Sequence, residues 1–433
     1  MIGPLRWDLR HGRLVYLRGD QLYVVDTERF ALVHQVRLPI PEPWELHLTA
    51  NGRALVFGAD STGEPPSAVA IVEADGQLRR EELGAERALR VRADDRGPYP
   101  DTVFLDDQRD TFVRFLVPEP TENFRHGRAE LETRPIAADS AAKRSRVRLP
   151  AWFDGGVLGC HGGLCVLRAS HPRATDTMLM GRLGVVDVRT GRAQLLPNTV
   201  LGYNCGIAFA ADGRVAVQPG AGADPILIEP RTWRVRPLGR PAKDFSPMHA
   251  AGCLAFSSDG ALLATASEYE PVMVFEVASG RRRWPPPAVD CSAEPASCPA
   301  SVAHWESCGV AFTQGDGAVV DHSELGSAQK LDVVTGKIRG PDLGLAWAYV
   351  EGRAVGNEEW ATGGILSPLG GYFLAYDPKT GITLLDVRTW TRLPSTGITK
   401  FARVGAFSPD DRFLIVTNRV WDLARGTFVA TLP

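Results

Sequence analysis

The sequence contains no long hydrophobic run and no excess of charge of either sign. No window of its 433 residues approaches 18 uninterrupted apolar residues, so no membrane-spanning helix is expected. Lys and Arg together number 48 and Asp and Glu 51, which gives a net charge of −3. This balance gives no electrostatic reason to expect nucleic acid or an anionic membrane as a partner. Arginine far outnumbers lysine, a bias that more often reflects a GC-rich, bacterial-like genome than a function.

A secretory signal and a disulfide framework are also missing from the pattern. Residues 1–8 lack the apolar stretch of about 7–15 residues that a signal peptide needs. The cysteines number seven, an odd count in a long chain, which argues against a secreted disulfide framework. From these two features we expect a cytoplasmic protein.

Signatures of catalysis are absent from the sequence as well. No Gly-x-Ser-x-Gly nucleophile motif occurs, no glycine-rich phosphate loop precedes a helical pattern, and the nine histidines are scattered. We therefore expect no catalytic residue, no cofactor and no enzymatic activity.

One run of possible zinc ligands stands in the second half of the chain: Cys291, Cys298, His304 and Cys308. Its spacings lack the Cys-x-x-Cys pairs of structural zinc sites, so we expect no metal. Cys205 and Cys308 share one register of the repeat described below, and Cys253 lies within one position of it. Small buried side chains at the crowded centre of a ring explain these cysteines. A Cys291–Cys298 disulfide is left open for an oxidising compartment.

Turn residues and a repeated unit dominate what is present. Gly (44) and Pro (32) are abundant and point to many turns. The unit begins with an apolar segment ending in Ala-Phe, an Asp-Gly turn and a second apolar segment. A variable stretch, an apolar segment ending in an acid and a Thr-Gly or Ser-Gly turn complete it. The clearest copy has residues 254–256, 259–260, 274–276 and 279–280 in these places.

The spacing between the first turn and the acid supports this alignment. It is 17 residues for Asp212 to Glu229 and Asp259 to Glu276, 16 for Asp316 to Asp332 and Gly370 to Asp386, and 12 for Asp410 to Asp422. Copies before residue 200 are looser. Short segments rich in Val, Ile, Leu, Phe and Tyr, separated by Gly, Asp and Asn turns, predict antiparallel hairpins. No segment shows a convincing helical period.

Four short strands in each unit of about 40–50 residues predict a β-propeller, in which closure of the ring removes free sheet edges. We expect an all-β chain that forms a single β-propeller over residues 1–433, with four-stranded antiparallel blades. Eight blades are expected, with seven or nine as alternatives. Residues 426–432 either supply the last outer strand or pair beside an N-terminal strand.

Two segments resemble the WD-repeat and YVTN-type propeller families. Residues 256–267 look like the inner half of a WD-repeat blade, and residues 407–414 look like the same segment in both families. The resemblance covers residues 200–433 well and residues 1–200 loosely, and it implies a WD-repeat-like ring. Within the repeat the Trp-Asp pair stands only at residues 421–422, and the Gly-His pair that opens a WD blade is absent. The buried His–Asp network of that family is therefore not expected.

The long connections map to one face of the predicted ring. With strands a to d running from axis to rim, the a–b and c–d turns lie on one face and the b–c and d–a connections on the other. The a–b turns and most c–d turns are short. The long segments are the b–c connections 58–67 and 169–182 and the d–a connections 239–248, 285–304 and 341–362. Residues 118–146 are the exception and form either a c–d insertion or a flexible linker.

This asymmetry predicts a function, because binding residues tend to lie on loops held by a rigid scaffold. We expect a non-catalytic protein–protein interaction module, such as a scaffold, adaptor or sensor subunit, that binds a protein partner through its long-loop face. The candidate anchors on that face are Trp44, Tyr203, Phe245, Met248, Trp305, Trp347 and Trp360. The alternative for each is that it packs beneath its own loop.

Two other readings stay open. A propeller enzyme of the lactonase, quinoprotein-like or hydrolase type would carry its site at the mouth of the central channel. A propeller that binds a small ligand or a carbohydrate is the other. Innermost segments rich in Ala, Gly, Cys, Val and Ile favour the interaction module, and the oligomeric state is left open.

Overall fold

A computed structural model describes most of the chain. The described residues are 4–40, 43–49, 51–58, 68–82, 103–106, 111–116, 130–136, 145–150, 153–161, 163–170, 181–196, 206–218, 224–239, 253–267, 270–284, 307–323, 328–337, 339, 365–377, 381–393 and 404–433.

These residues form a β-propeller made of antiparallel sheets, as the sequence predicts. They contain nine sheets, labelled A to I in chain order, of which eight have four strands and one has three. The expectation was eight blades, with seven or nine as alternatives. Within each sheet the strands follow chain order. A single 3₁₀ turn (Leu9–His11) is the one helical element of this part of the chain, and no helix in it is long and apolar enough to cross a membrane.

The strands of sheets A to D have these bounds. Sheet A has β1 (Leu5–Asp8), β2 (Arg13–Arg18), β3 (Gln21–Asp26) and β4 (Leu32–Arg37). Sheet B has β5 (Pro43–Leu48), β6 (Ala54–Gly58), β7 (Ala68–Val72) and β8 (Leu78–Glu82). Sheet C has β9 (Val103–Asp106), β10 (Thr111–Leu116), β11 (Glu130–Pro135) and β12 (Ser145–Arg148). Sheet D has β13 (Phe153–His161), β14 (Leu164–Ser170), β15 (Gly181–Asp187) and β16 (Ala193–Leu195).

The strands of sheets E to I follow. Sheet E has β17 (Gly206–Phe209), β18 (Val215–Gln218), β19 (Ile226–Ile228) and β20 (Val235–Pro237). Sheet F has β21 (Cys253–Phe256), β22 (Leu262–Ser267), β23 (Glu270–Glu276) and β24 (Arg282–Trp284). Sheet G has β25 (Ser307–Phe312), β26 (Ala318–Ser323) and β27 (Ala328–Asp332). Sheet H has β28 (Ile365–Leu366), β29 (Tyr372–Asp377), β30 (Gly381–Asp386) and β31 (Thr391–Arg392), and sheet I has β32 (Val404–Phe407), β33 (Phe413–Val416), β34 (Arg419–Asp422) and β35 (Thr427–Thr431).

The core of the protein lies in the seams between neighbouring sheets. First strands of adjacent sheets contact one another, as β17 contacts β21 and β21 contacts β25. Successive side chains of a strand point to opposite faces of its sheet, so the second strand of sheet E supplies two seams. Val217 packs into the D–E seam, and Ala216 packs into the E–F seam against Leu263. Residues 215–217 of this strand therefore read as a continuous hydrophobic run, and Gln218 follows them.

The last sheet packs against the first and closes the ring. Leu14 and Tyr16 of sheet A lie in one buried cluster with Phe413 and Ile415 of sheet I. The Tyr16 hydroxyl donates a hydrogen bond to the Pro433 carbonyl (2.9 Å). Strand β35 pairs with β34 inside sheet I, so residues 427–431 supply the outer strand of their own sheet.

The c–d turns fit neighbouring sheets to each other through one backbone position. In seven sheets the residue four positions after the acid that ends the third strand has a positive φ: Phe30, Gly191, Trp233, Gly280, Gly336, Trp390 and Gly426. An aromatic residue here packs back on the preceding sheet, as Trp390 does against Val320 of sheet G. At Gly191, Gly280 and Gly336 the glycine instead admits a side chain from the preceding outer strand. Trp284 of sheet F occupies the space that a Cβ of Gly336 would fill.

Substitution of Gly336 tests this fit. Gly336→Ala is expected to lower the free energy of unfolding by about 3 kcal/mol or more, because the new methyl group would overlap the Trp284 indole at a positive φ. Gly426→Ala is the matched control, since its φ is +61° and nothing lies within 4 Å of an added Cβ. It should cost about 1 kcal/mol. Urea unfolding followed by tryptophan fluorescence measures both, and equal losses would contradict the proposed packing.

Tyr16→Phe tests the ring closure and its pH dependence. Loss of the hydrogen bond to Pro433 should lower the free energy of unfolding by about 1 kcal/mol at pH 8. Burial raises the pKa of the Tyr16 phenol to about 12 from 10.0. The native state therefore holds this proton more tightly than the unfolded chain, and the associated stabilisation is complete below pH 10 and lost between pH 10 and 12. Urea unfolding at pH 8 and at pH 11 should show a smaller alkaline loss in this variant than in wild type or in the Tyr23→Phe control.

Candidate functional site

The connections divide into two sets at opposite ends of the strands. The a–b and c–d turns make the end that we call the turn face, and in sheets E to I each a–b turn has five residues, as in 210–214 and 257–261. The b–c and d–a connections make the end that we call the loop face. Ten residues separate β14 from β15 there, and 22 residues separate β24 from β25. These two connections are two to four times as long as the five-residue turns, whereas the b–c connections of sheets A, F and I have two residues each.

Hydrogen bonds inside each a–b turn shape the turn face. Ser257 Oγ accepts the Leu262 amide (2.8 Å) and donates to Asp259 Oδ1 (2.7 Å). The Asp259 carboxylate also accepts the Ala261 amide (2.8 Å), and this hydrogen bond is the main cause of a pKa below the usual aspartate range. Two further serines accept the corresponding amide in their own turns: Ser367 and Ser408.

Two aspartates join neighbouring turns across the seams. Asp411 of sheet I accepts the amides of Leu369 (3.0 Å) and Gly371 (2.9 Å) in sheet H. Asp316 of sheet G accepts the Ser258 amide (3.1 Å) and the Ser258 hydroxyl (2.5 Å) in sheet F. The polar groups of these four turns are thus engaged within the protein, which ties successive sheets together at this face.

The same aspartates occupy a backbone conformation that favours glycine. Asp316 (φ 56°) and Asp411 (φ 55°) stand at the fourth turn position, where three sheets have Gly213, Gly260 and Gly370. Counted from this position, the acid of the third strand follows 16 residues later in each of sheets E to H. The alignment from sequence, which equates Asp316 with Asp212, is therefore wrong by one position. An Asp-Gly pair occurs both at residues 212–213 and at residues 316–317. The contacts of Asp316 with Ser258 in the preceding sheet distinguish the second pair from the first.

The repeated acid at the end of the third strand is a structural cap. Asp332 Oδ1 accepts the amides of Val334 (2.9 Å) and Thr335 (2.7 Å). Burial acts to raise the pKa of Asp332, but these hydrogen bonds outweigh it and lower the pKa. Four other acids accept an amide of their own c–d turn: Asp26, Asp187, Asp386 and Asp422. The acid shapes the turn, which explains its regular spacing.

The predicted partner-binding residues lie almost entirely outside the described part of the chain. Trp44 is the second residue of β5, and the structure describes its backbone alone. The other six lie outside the described residues: Tyr203, Phe245, Met248, Trp305, Trp347 and Trp360. Loops 285–304 and 341–362 also lie outside them. Their role as anchors and binding loops stays a prediction.

Two further sequence expectations concern residues 118–146 and metal binding. Residues 118–146 contain β11 and the start of β12, and residues 117–129 and 137–144 lie outside the described chain. No group of three or more His, Cys, Asp or Glu side chains within the described residues is placed to hold a metal ion. Cys291, Cys298 and His304 lie outside those residues, so the expectation of no metal stays a prediction.

Two cysteines form disulfide bonds that the sequence analysis does not predict. Cys165 in β14 and Cys253 in β21 are each disulfide-bonded. Cys253 lies in the first strand of its sheet, as the sequence predicts, but its disulfide bond was not part of that prediction. Repeat register relates positions within each unit and carries no information on which cysteines meet between strands, so these bonds could not be predicted from it.

Two polar side chains lie buried in the E–F seam. Gln218 ends β18 at the loop face, has 0% exposure, and finds no hydrogen-bond partner for either amide atom in the structure as described. It shares a side of β18 with Ala216, which packs against Leu263 and Met273 of sheet F. Thr265 lies on the same side of β22 as Leu263, is also fully buried, and has an unpaired hydroxyl among the described atoms. Such groups cost free energy, so this seam is where the small-ligand alternative can be tested.

Comparisons with known proteins give fold neighbours and no family. No family model and no curated protein sequence matches the chain. Similar solved structures include dihydro-heme d1 dehydrogenase NirN in complex with DHE, with 13% identity, a TM-score of 0.42, and coverage of 78% of this chain and 65% of that chain. The chain thus spans less than two thirds of NirN.

Two other solved structures are covered more fully. Apo AztD from Citrobacter koseri has 12% identity and a TM-score of 0.45 over 88% of this chain and 93% of that one. A structure described as the eukaryotic initiation factor has 10% identity and a TM-score of 0.49 over 92% and 88%. None of these values supports a statement about function, and membership of the WD-repeat or YVTN-type families stays a prediction.

Gln218→Met tests whether the buried amide has a role in binding. An unpaired buried amide costs about 1–3 kcal/mol, so its replacement by an apolar side chain of similar length should raise the free energy of unfolding by about 1 kcal/mol. Gln35→Met, at an exposed position on β4, is the control and should change stability little. Urea unfolding measures both variants. A lower stability of Gln218→Met would show that the amide has a partner in the native protein and would favour the small-ligand reading.

Proposed function

We propose that the protein is a non-catalytic interaction module that binds a protein partner through its loop face. The inequality of the two faces carries this proposal. On the turn face, the a–b turns of sheets E to I have five residues each, and their carboxylates and hydroxyls bind groups of the same ring. The loop face carries connections of 10 and 22 residues, and loops on a rigid scaffold are the usual place for binding residues.

The strands that support these connections are firmly packed. The second strand of a sheet ends at the loop face, and it is buried along its whole length in sheets B, E and I, at Ala54–Gly58, Val215–Gln218 and Phe413–Val416. A loop that starts from such a strand has a fixed base. Fixed ends reduce the conformational entropy that ordering the loop costs when a partner binds.

The acids with displaced pKa values favour binding over catalysis. Asp187, Asp212, Asp259, Glu276 and Asp332 all have a pKa below the usual carboxyl range. Burial opposes this shift, and hydrogen bonds from turn amides, hydroxyls and arginines outweigh it. A catalytic acid or base needs a pKa near the working pH, so a downward shift suits a carboxylate that holds a turn.

Replacement of the loop-face tryptophans tests the proposal. The tagged full-length protein is purified from its source, the co-purifying protein is identified, and the dissociation constant of the complex is measured. We expect Trp305→Ala, Trp347→Ala or Trp360→Ala to weaken binding at least about 30-fold, because a buried interface tryptophan typically contributes about 2 kcal/mol or more. Shortening loops 285–304 and 341–362 should have the same effect.

The turn face supplies the control for this experiment. Leu369 lies in the a–b turn of sheet H with 47% exposure, so Leu369→Ala removes an exposed apolar side chain from the opposite end of the ring. Partner affinity should stay within about two-fold of wild type. Unchanged binding by the loop variants together with lost binding by Leu369→Ala would place the partner on the wrong face for this proposal.

A further inference from the structure

The disulfides at Cys165 and Cys253 occupy two separate places in the fold. Cys165 lies inside β14 of sheet D and is 1% exposed. Cys253 is the first residue of β21 in sheet F. These positions belong to sheets that are not neighbours, so each cysteine has its own partner elsewhere in the chain.

The backbone pairing of sheet D identifies the partner of Cys165. Cys160 of β13 stands directly opposite Cys165 in the antiparallel register, between the Gly159–Val166 pair and the His161–Leu164 pair next to the turn. Directly opposite residues of antiparallel strands have Cα atoms about 4.5–5.5 Å apart. That separation falls within the range of about 4.4–6.8 Å that a disulfide spans. Cys160 is therefore the partner that the register offers, across the first hairpin of the sheet.

The strands that contact β21 offer two candidate partners for Cys253. Strand β21 contacts β17 of sheet E and β25 of sheet G. Cys308 is the second residue of β25, and Cys205 directly precedes β17 in sequence. A bond from Cys253 to either residue joins two adjacent sheets at the ends of their innermost strands. This is the loop-face end, because the connection that precedes each first strand lies there.

Disulfides of this kind persist only where the surroundings are oxidising, since cytosolic reductants keep most thiols reduced. We propose that the protein folds and works in an oxidising compartment, with Cys160–Cys165 closing a hairpin and Cys253 joining two neighbouring sheets. This proposal replaces the expectation of a cytoplasmic protein, which depended on residues 1–8 and on the odd cysteine count. Seven cysteines accommodate two structural disulfides and leave three other residues.

The chemistry requires an oxidant of the disulfide class. A thiolate of the protein attacks the disulfide of a dithiol oxidoreductase and forms a mixed disulfide, with one sulfur of the oxidoreductase leaving as a thiolate. The second protein thiolate then attacks the mixed disulfide and releases the other sulfur. Each protein disulfide thus forms with loss of two electrons and two thiol protons, and the oxidoreductase leaves as the dithiol.

Peptide mapping of the native protein tests the proposal. Cells of the source organism are treated with an alkylating reagent before lysis, and the full-length protein is digested and analysed by mass spectrometry without reduction. We expect unmodified, disulfide-linked peptides containing Cys160 with Cys165, and Cys253 with Cys205 or Cys308. Cell fractionation should place the protein outside the cytoplasm. Alkylated Cys165 and Cys253 in protein from intact cells would overturn the proposal.

Stability measurements give a second readout that is independent of any partner. Cys160→Ser, Cys165→Ser and the double variant should lower the melting temperature by the same amount, about 2–3 °C, because either single change breaks the same bond. Wild type with a strong reductant should fall at least as far. Additive losses from the two single variants would contradict a bond between them. Partner affinity does not enter these measurements, so they stand apart from the test of the loop face.

Discussion

Sheet E has two apolar faces, and each is covered by a neighbouring sheet of the ring. The second strand of sheet E shows the constraint directly, because Val217 packs toward sheet D and Ala216 toward sheet F. A sheet at the end of an open row would leave one such face in water, at about 25 cal/mol for each Å² of apolar surface. Packing of Leu14 and Tyr16 on Phe413 removes that cost by joining the first sheet to the last.

The unequal faces follow from this constraint. Sheets that must stay in register at their seams gain from short turns that bind one another, and the aspartates at 316 and 411 provide such links on the turn face. The opposite ends of the strands are already fixed by the buried second strands. Chain added there disturbs no seam, so that face can accept long connections without loss of the core.

Much of this fold could be predicted from the sequence, because hairpins and turns are local. The apolar segments, the Asp-Gly turns and the acid of the third strand all act within one unit, and the structure confirms the antiparallel sheets. Features that depend on a neighbouring sheet could not be predicted. Asp316 looks like the aspartate of an ordinary Asp-Gly turn until its bonds to Ser258 are seen. The disulfide at Cys253 depends on a second cysteine outside its own turn, and the predicted aromatic anchors of the loop face stand in connections without repeat character.

The residue with positive φ in each c–d turn makes the order of the sheets specific. Gly336 of sheet G leaves a space that the Trp284 side chain on the outer strand of sheet F fills. In sheet H the corresponding residue is Trp390, whose own side chain fills the seam with sheet G. Exchange of two sheets would place two large rings in one seam or leave a cavity in another. The repeats are therefore not interchangeable parts, and a copy of one unit inserted elsewhere in the chain would not fit its new neighbours. Duplication or deletion of a single unit would thus require compensating changes in both adjoining sheets.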